Sequence, residues 1–175
     1  MENIQLIPKA RIPIVKFKDP RSGLDVDISL DNRLAIYNSH LLKSYAQEDR
    51  LRRLVHMVKY WASRRGINNA FDGSLSSYAW TLLTIQHAQL VQPALAPNRQ
   101  ENCPSKPLSF QGKTFDVGFN DDDFKTENTQ SLASLLISFF DRYATRWDWE
   151  SMVVSIRNGK AHSTKSKKWN HTGPL

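Results

Sequence analysis

Between Asp25 and Tyr78 the apolar pattern passes from strict alternation to steps of three and four residues. Each segment also carries a group able to hold an anion or a cation. The order is Asp25-Val26-Asp27-Ile28-Ser29-Leu30, then Asn32 and Asn38, then Val58-Lys59-Tyr60-Trp61-Ala62, then Gly73-Ser74-Leu75-Ser76-Ser77-Tyr78. Val26, Ile28 and Leu30 alternate with Asp25, Asp27 and Ser29, so a strand there turns both carboxylates to one side. Ile14-Val15-Lys16-Phe17 precedes it across the turn chemistry of Asp19-Pro20-Arg21-Ser22-Gly23. A hairpin with one apolar face and one carboxylate-bearing face is predicted.

Four helices are predicted after the hairpin. Leu34, Leu41, Leu42 and Tyr45 form the stripe of the first, with Asp31 as a candidate cap and Asn38 on the same stripe. The second begins near Asp49, buries Leu51, Leu54, Val55, Val58 and Ala62, and ends at Gly66. The third starts at Ser74 or Ser76 and runs through Leu82, Leu83 and Leu90 until Pro93. Leu132, Leu135, Leu136, Phe139, Phe140 and Tyr143 mark the fourth. A Pro-, Asn- and Ser-rich loop is expected over residues 92–109, then an extended piece at Phe115-Asp116-Val117-Gly118-Phe119. A strand at Met152-Val153-Val154-Ser155-Ile156 leads to an Asn158-Gly159 turn. The fold class is therefore α+β, a small antiparallel sheet joined to a mainly helical domain.

Phosphate chemistry needs a carboxylate for a metal, a fixed lysine and an exposed hydroxyl. Asp25 and Asp27 share a strand face and could bind a divalent cation through hard oxygens, or simply line a solvated edge. Asn38, an amide on an apolar stripe, must be hydrogen-bonded or cost about 1–3 kcal/mol, either to a ribose hydroxyl or to neighbouring backbone. Asn32 sits at the mouth of the same helix, as a ligand contact or as a cap. Lys59 can extend along apolar surface and present its ammonium to phosphate, or snorkel into water. Ser77 and Tyr78 open the third helix, where free N–H groups and a hydroxyl favour anions and a ring can stack. Their bland alternatives are a cap and a core aromatic.

The 175 residues carry a net charge of +7, which suits a polyanionic partner such as RNA as well as a merely solvated basic surface. The tail from Lys160, with Lys165, Lys167 and Lys168, is a candidate RNA-contacting surface. No apolar run is long enough to span a bilayer, and Met1-Glu2-Asn3-Ile4 lacks the pattern of a secretory signal. Cys103 is the sole cysteine, which excludes an internal disulfide and fits a reducing compartment.

Taken together, these residues resemble the terminal uridylyltransferases and the related poly(A) polymerases of the polymerase-β-like nucleotidyltransferase superfamily. The resemblance rests on Ala10-Arg11-Ile12-Pro13-Ile14-Val15-Lys16-Phe17, Asp27-Ile28, Asn32-Arg33-Leu34-Ala35-Ile36-Tyr37-Asn38, Val58-Lys59-Tyr60-Trp61-Ala62 and Gly73-Ser74-Leu75-Ser76-Ser77-Tyr78. Weaker likeness continues through residues 115–119, 131–143 and His171-Thr172-Gly173. It implies transfer of UMP or AMP to RNA 3′ ends with Mg2+ or Mn2+, uridylyl transfer being favoured. Asp27 would be a catalytic, metal-binding carboxylate. Asn32 and Asn38 would meet the base or ribose, Lys59 and Ser77 the phosphates, and Tyr78 would stack on the base. Residues 1–32 would end the catalytic domain, and residues 33–175 would form most of the helical central domain. The family's paired carboxylates have no counterpart before Ala10, and Ser63 stands where a second phosphate-binding lysine is common. The expectation is a fragment, inactive alone and cytoplasmic, with nuclear and mitochondrial members also known. The rival expectation is a non-catalytic RNA-binding or scaffold module derived from the family.

Overall fold

The computed structural model describes residues 1–10, 12–157 and 159–163. The predicted hairpin is two strands of a three-stranded antiparallel sheet, β1 (Glu2–Ile7), β2 (Ile14–Lys18) and β3 (Asp25–Ser29), in that order. Gly23 N–H donates to Asp19 O (2.8 Å) and Asp19 N–H to Leu24 O (2.9 Å), closing the loop between β2 and β3. That closure sets the register, with Lys18 opposite Asp25 and Lys16 opposite Asp27. β1 is an addition to the expected hairpin. Its side chains are almost all exposed, so it joins through backbone pairing to β2 rather than through an apolar signal.

α1 (Arg33–Tyr45) is capped by Asn32, whose Oδ1 accepts from Ala35 N–H at 3.4 Å. Asp31, the expected cap, instead takes a left-handed φ of 51° and pairs with Arg33 at 3.1 Å. Only the last turns of α1 reach the core, through Leu41, Ser44 and Tyr45. Asn38 is exposed, which corrects its expected place on a buried stripe, because the first turns of α1 precede the point where the helix meets the bundle.

α2 (Asp49–Arg64) buries Leu51, Leu54, Val58 and Ala62, as its spacing dictates. Gly66, at φ 67°, lets Ile67 N–H return to Ala62 O (3.0 Å) and stops the helix. After a 3₁₀ turn at Ala70–Asp72, α3 (Ser77–Leu90) begins under the cap of Ser76, whose Oγ accepts from Ala79 N–H at 3.1 Å. α3 is buried almost all round from Thr81 to Gln89, so its polar side chains must be satisfied inside. Thr84 donates to Trp80 O (2.8 Å), and Gln89 Nε2 donates to Tyr45 Oη (3.1 Å) and Ile156 O (3.0 Å).

α4 (Leu132–Asp141) continues into a π-helical turn at Arg142–Arg146 and closes the bundle. One apolar cluster joins Leu41, Leu54, Ile85, Leu95 and Leu135; a second joins Val58, Leu83, Phe139, Tyr143 and Trp147. Trp61 meets Phe140 and Trp80 edge-on at 4.7 and 5.5 Å. The expected loop to residue 109 ends earlier, in a hairpin of β4 (Pro107–Phe110) and β5 (Lys113–Asp116). The strand expected over residues 152–156 is the short β6 (Met152–Val153), paired with β7 (His162–Ser163). Buried Arg99 holds the intervening segment against α1, donating to Ser44 O (2.9 Å), Gln47 Oε1 (3.1 Å) and Asn120 O (3.3 Å). Among the described residues no helix is long and apolar enough to cross a membrane.

Candidate functional site

Lys59 is the pivot of the arrangement. Half-buried on α2, it borders an opening of about 230 Å³ lined also by Leu42 of α1 and Ala46 at its end, Val55 and His56 of α2, and Thr81 of α3. The nearby cations Arg52 and Arg53 are both committed to Asp49, at 2.5 and 2.7 Å, whereas no carboxylate pairs with Lys59 among the described residues. Its stem lies against apolar wall and its ammonium is available to an anion.

Two sequence-predicted groups lie one turn from residues of its wall, though neither lines it. Asn38 stands one turn before Leu42 on α1, and Ser77 one turn before Thr81 on α3; a turn advances about 5.4 Å. Thr81 Oγ1 donates to Ser77 O at 2.9 Å, tying the two positions. Ser76 Oγ occupies the N–H of Ala79, so the N–H groups of Ser77 and Tyr78 keep no intrahelical acceptor. Ser77 Oγ meets Asn68 Nδ2 only loosely, at 3.5 Å. Tyr78 is 43% exposed, and partial burial raises its phenol above the ordinary range, which leaves a neutral ring for stacking.

Asn32 and Asn38 share a second opening of about 480 Å³ with Ala10, Ile12, Leu34 and Phe110. Asn32 caps its helix with Oδ1 and still borders this opening. Asp27 stands apart. It is exposed and ion-paired to Lys16 at 3.4 Å, in a hollow of about 260 Å³ that also contains Asp25 and Lys18. The pairing register thus matches each strand acid with a lysine. Among the described residues no group of three or more His, Cys, Asp or Glu side chains could hold a metal ion. These donors do not by themselves fit a divalent-metal site. Lys160 is exposed; Lys165, Lys167 and Lys168 lie outside the described residues, as do Arg11 and residues 171–173 of the resemblance.

His56 and Thr81 were missed by sequence reasoning. The signal was spacing, since His56 lies three residues before Lys59 and Thr81 lies four after Ser77, each on the same helical face.

The lysine opening thus lies in a helical bundle that follows a small antiparallel sheet. Residues 1–47 match the family described as poly(A) RNA polymerase, mitochondrial-like, central palm domain, and residues 131–174 match the Cid1 family poly A polymerase. The chain is 36% identical over 164 residues to poly(A) RNA polymerase GLD2 of Homo sapiens, covering 92% of this chain and 34% of that protein. It is 37% identical over 184 residues to the terminal uridylyltransferase cid1 of Schizosaccharomyces pombe, covering 97% of this chain and 45% of that protein. A solved structure of Cid1 with its short product ApU superposes with a TM-score of 0.85 at 33% identity, covering 97% of this chain and 56% of that one. Another, with the UTP analogue UMPNPP, gives 0.83 at 34% identity, covering 96% and 56%. The chain belongs to the poly(A)/poly(U) polymerase family, of which it is a partial representative. It spans about a third to a half of the curated relatives it matches. Solved Cid1 structures also include magnesium complexes with 3′-dATP and GTP.

Proposed function

We propose that this chain is the nucleotide-handling part of an RNA 3′-terminal nucleotidyltransferase, with uridylyl transfer favoured over adenylyl transfer. The observation that carries the reading is the Lys59 ammonium, without a carboxylate partner among the described residues, at an opening whose wall includes Thr81, one turn after Ser77 on α3. In this reading Lys59 and Ser77 receive the phosphates, Asn32 and Asn38 meet the sugar or base, and Tyr78 stacks. Residues 1–32 complete a catalytic domain and residues 33–175 form the helical domain.

Mg2+ or Mn2+ is the ion such a transfer would use. Asp27 would contribute one carboxylate, after release from Lys16. RNA 3′ ends and UTP or ATP are the proposed substrates, Lys160, Lys165, Lys167 and Lys168 are proposed RNA contacts, and cytoplasmic residence belongs to the same reading. The Cid1 complexes with ApU and UMPNPP support RNA and nucleotide as substrates.

The test is a titration of UTP and ATP into wild type and Tyr78→Ala, followed by incubation with an RNA primer and magnesium. Saturable binding weakened by Tyr78→Ala is expected, with UTP ahead of ATP. With Asp27 alone matching a catalytic carboxylate of the resemblance, the 175-residue polypeptide is expected to bind without extending the primer. No binding in either protein would leave the rival, a non-catalytic RNA-binding module, as the surviving reading.

A further inference from the structure

A hollow larger than the one at Lys59 lies elsewhere along α1. A groove of about 620 Å³ runs along α1 on the flank away from Asn38 and Leu42. Tyr37, His40 and Lys43, three residues apart on one side of α1, form one wall with Gln47 just beyond the helix. Lys106 and Phe119 belong to the facing wall, formed by residues 104–106 and 117–121.

The groove is built rather than incidental. The Asp116 carboxylate accepts from the backbone N–H of Lys106 (2.9 Å) and of Gly118 (3.1 Å), and these bonds hold its pKa below the ordinary range. Val117 N–H donates to Lys106 O (3.0 Å). A Cβ on Gly118 would lie 2.3 Å from Pro104 O, so the two strands of this wall touch there. Buried Arg99 bonds both α1, at Ser44 O, and the residues after the wall, at Asn120 O. Both sides are therefore fixed before any ligand arrives.

Its chemistry is graded. At one end Lys106 Nζ sits 4.9 Å from the centroid of the Tyr37 ring, and His40 packs edge-on against that ring at 6.5 Å. Lys43 adds a second cation. At the other end Gln47 Nε2 donates to Asp121 Oδ1 at 3.2 Å, a pair that presents donors and an acceptor but repels phosphate. Lysines beside an aromatic ring, with amide and carboxylate groups beyond, match a single-stranded polyribonucleotide: phosphates at Lys43 and Lys106, a base on Tyr37, and a base edge toward Gln47.

The geometry points to a second RNA-binding groove, on the opposite flank of α1 from the nucleotide opening, that holds single-stranded RNA through Tyr37, Lys43 and Lys106. It deepens the reading of the chain as an RNA 3′-end enzyme, yet it rests on different residues.

The test is fluorescence anisotropy of a short single-stranded RNA on wild type, Tyr37→Ala, Tyr37→Phe and Lys106→Gln, each also titrated with UTP and checked for an unchanged melting curve. Tyr37→Ala should weaken RNA binding about tenfold, with Tyr37→Phe near wild type. Lys106→Gln should lower the salt slope by about 0.7. Photo-crosslinking of 4-thiouridine RNA should label peptides within residues 33–48 and 104–119, a readout independent of any variant's folding. RNA affinity unchanged in all three variants, or crosslinks confined elsewhere, overturns the groove. Binding that heparin displaces equally well and that ignores Tyr37 also overturns it, as charge alone. RNA binding lost with UTP binding retained supports it. RNA binding that depends on Tyr37 in a protein that never binds UTP upholds the groove while removing the nucleotide reading.

Discussion

Acid should loosen this protein at one buried histidine. His87 is fully buried on α3 between Ser138 and Arg142 of the α4 segment. The Arg142 Nε–H donates to His87 Nδ1 at 3.1 Å, so Nδ1 must keep its lone pair and the ring proton resides on Nε2, donated to Ser138 Oγ at 3.0 Å. Burial first, and the Arg142 charge second, lower the His87 pKa to about 4 from an ordinary 6.5. Folding therefore excludes a proton that the unfolded chain accepts. The stabilisation is complete above pH 6.5 and is lost as the pH falls toward 4. Each pH unit costs about 1.4 kcal/mol, so the total is about 3 kcal/mol, of which about 2–3 kcal/mol goes by about pH 4.5. Asp19, Asp49, Asp116 and Asp148 all have lowered pKa values, so their losses fall below the ordinary carboxylate value of 3.8 and leave this window to His87. Urea unfolding followed by tryptophan fluorescence at about pH 7 and about pH 4.5 measures the loss directly. In His87→Gln, whose amide can still accept from Arg142 and donate to Ser138, that loss should vanish. A variant that loses as much stability as wild type over the window would refute the reasoning.

Three further outcomes are expected. Arg99→Ala should cost about 3 kcal/mol or more, seen as a lower urea midpoint, because it strips the buried donors from Ser44, Gln47 and Asn120 at once. Lys16→Gln should change stability by less than about 1 kcal/mol, because the pair with Asp27 is exposed, at 45% and 53% of the two side chains. Ser63→Lys places a second ammonium one turn beyond Lys59; calorimetry should show severalfold tighter UTP binding, and urea unfolding a stability cost of about 0.3 kcal/mol from the like charges.

What was legible from residues followed from strong local signals. α2 reads directly from Leu51, Leu54, Val58 and Ala62, and its stop from Gly66, because period and breaker agree. β2 and β3 read from alternation and the Asp19–Gly23 turn, and that loop also fixes Lys16 opposite Asp27, a partner that could have been counted from the sequence. The β4–β5 hairpin was hidden because its two-residue turn is Gln111-Gly112. Both residues take positive φ, 50° and 72°, and Gln111 is an unusual occupant of a position where Asn or Asp would have announced the turn. β1 was hidden because it buries almost nothing. Asn38 was misplaced for the converse reason, since a stripe shows a face but not where along the helix the core begins. Of the candidate site, the ordered motifs gave the residues but not their places: Lys59, Asn38 and Asp27 border three different hollows. The groove at Tyr37 and Lys106 joins positions far apart in the chain that only the folded hairpin brings together.

On the proposed reading, the Lys59 opening receives a triphosphate rather than merely a base. The measurement is calorimetric titration of UTP and of uridine into wild type and Lys59→Ala at low salt. UTP affinity should fall about tenfold or more in Lys59→Ala while uridine affinity stays within error, since the ammonium meets only charge. Equal loss for both ligands, or UTP affinity untouched by Lys59→Ala, would contradict the account.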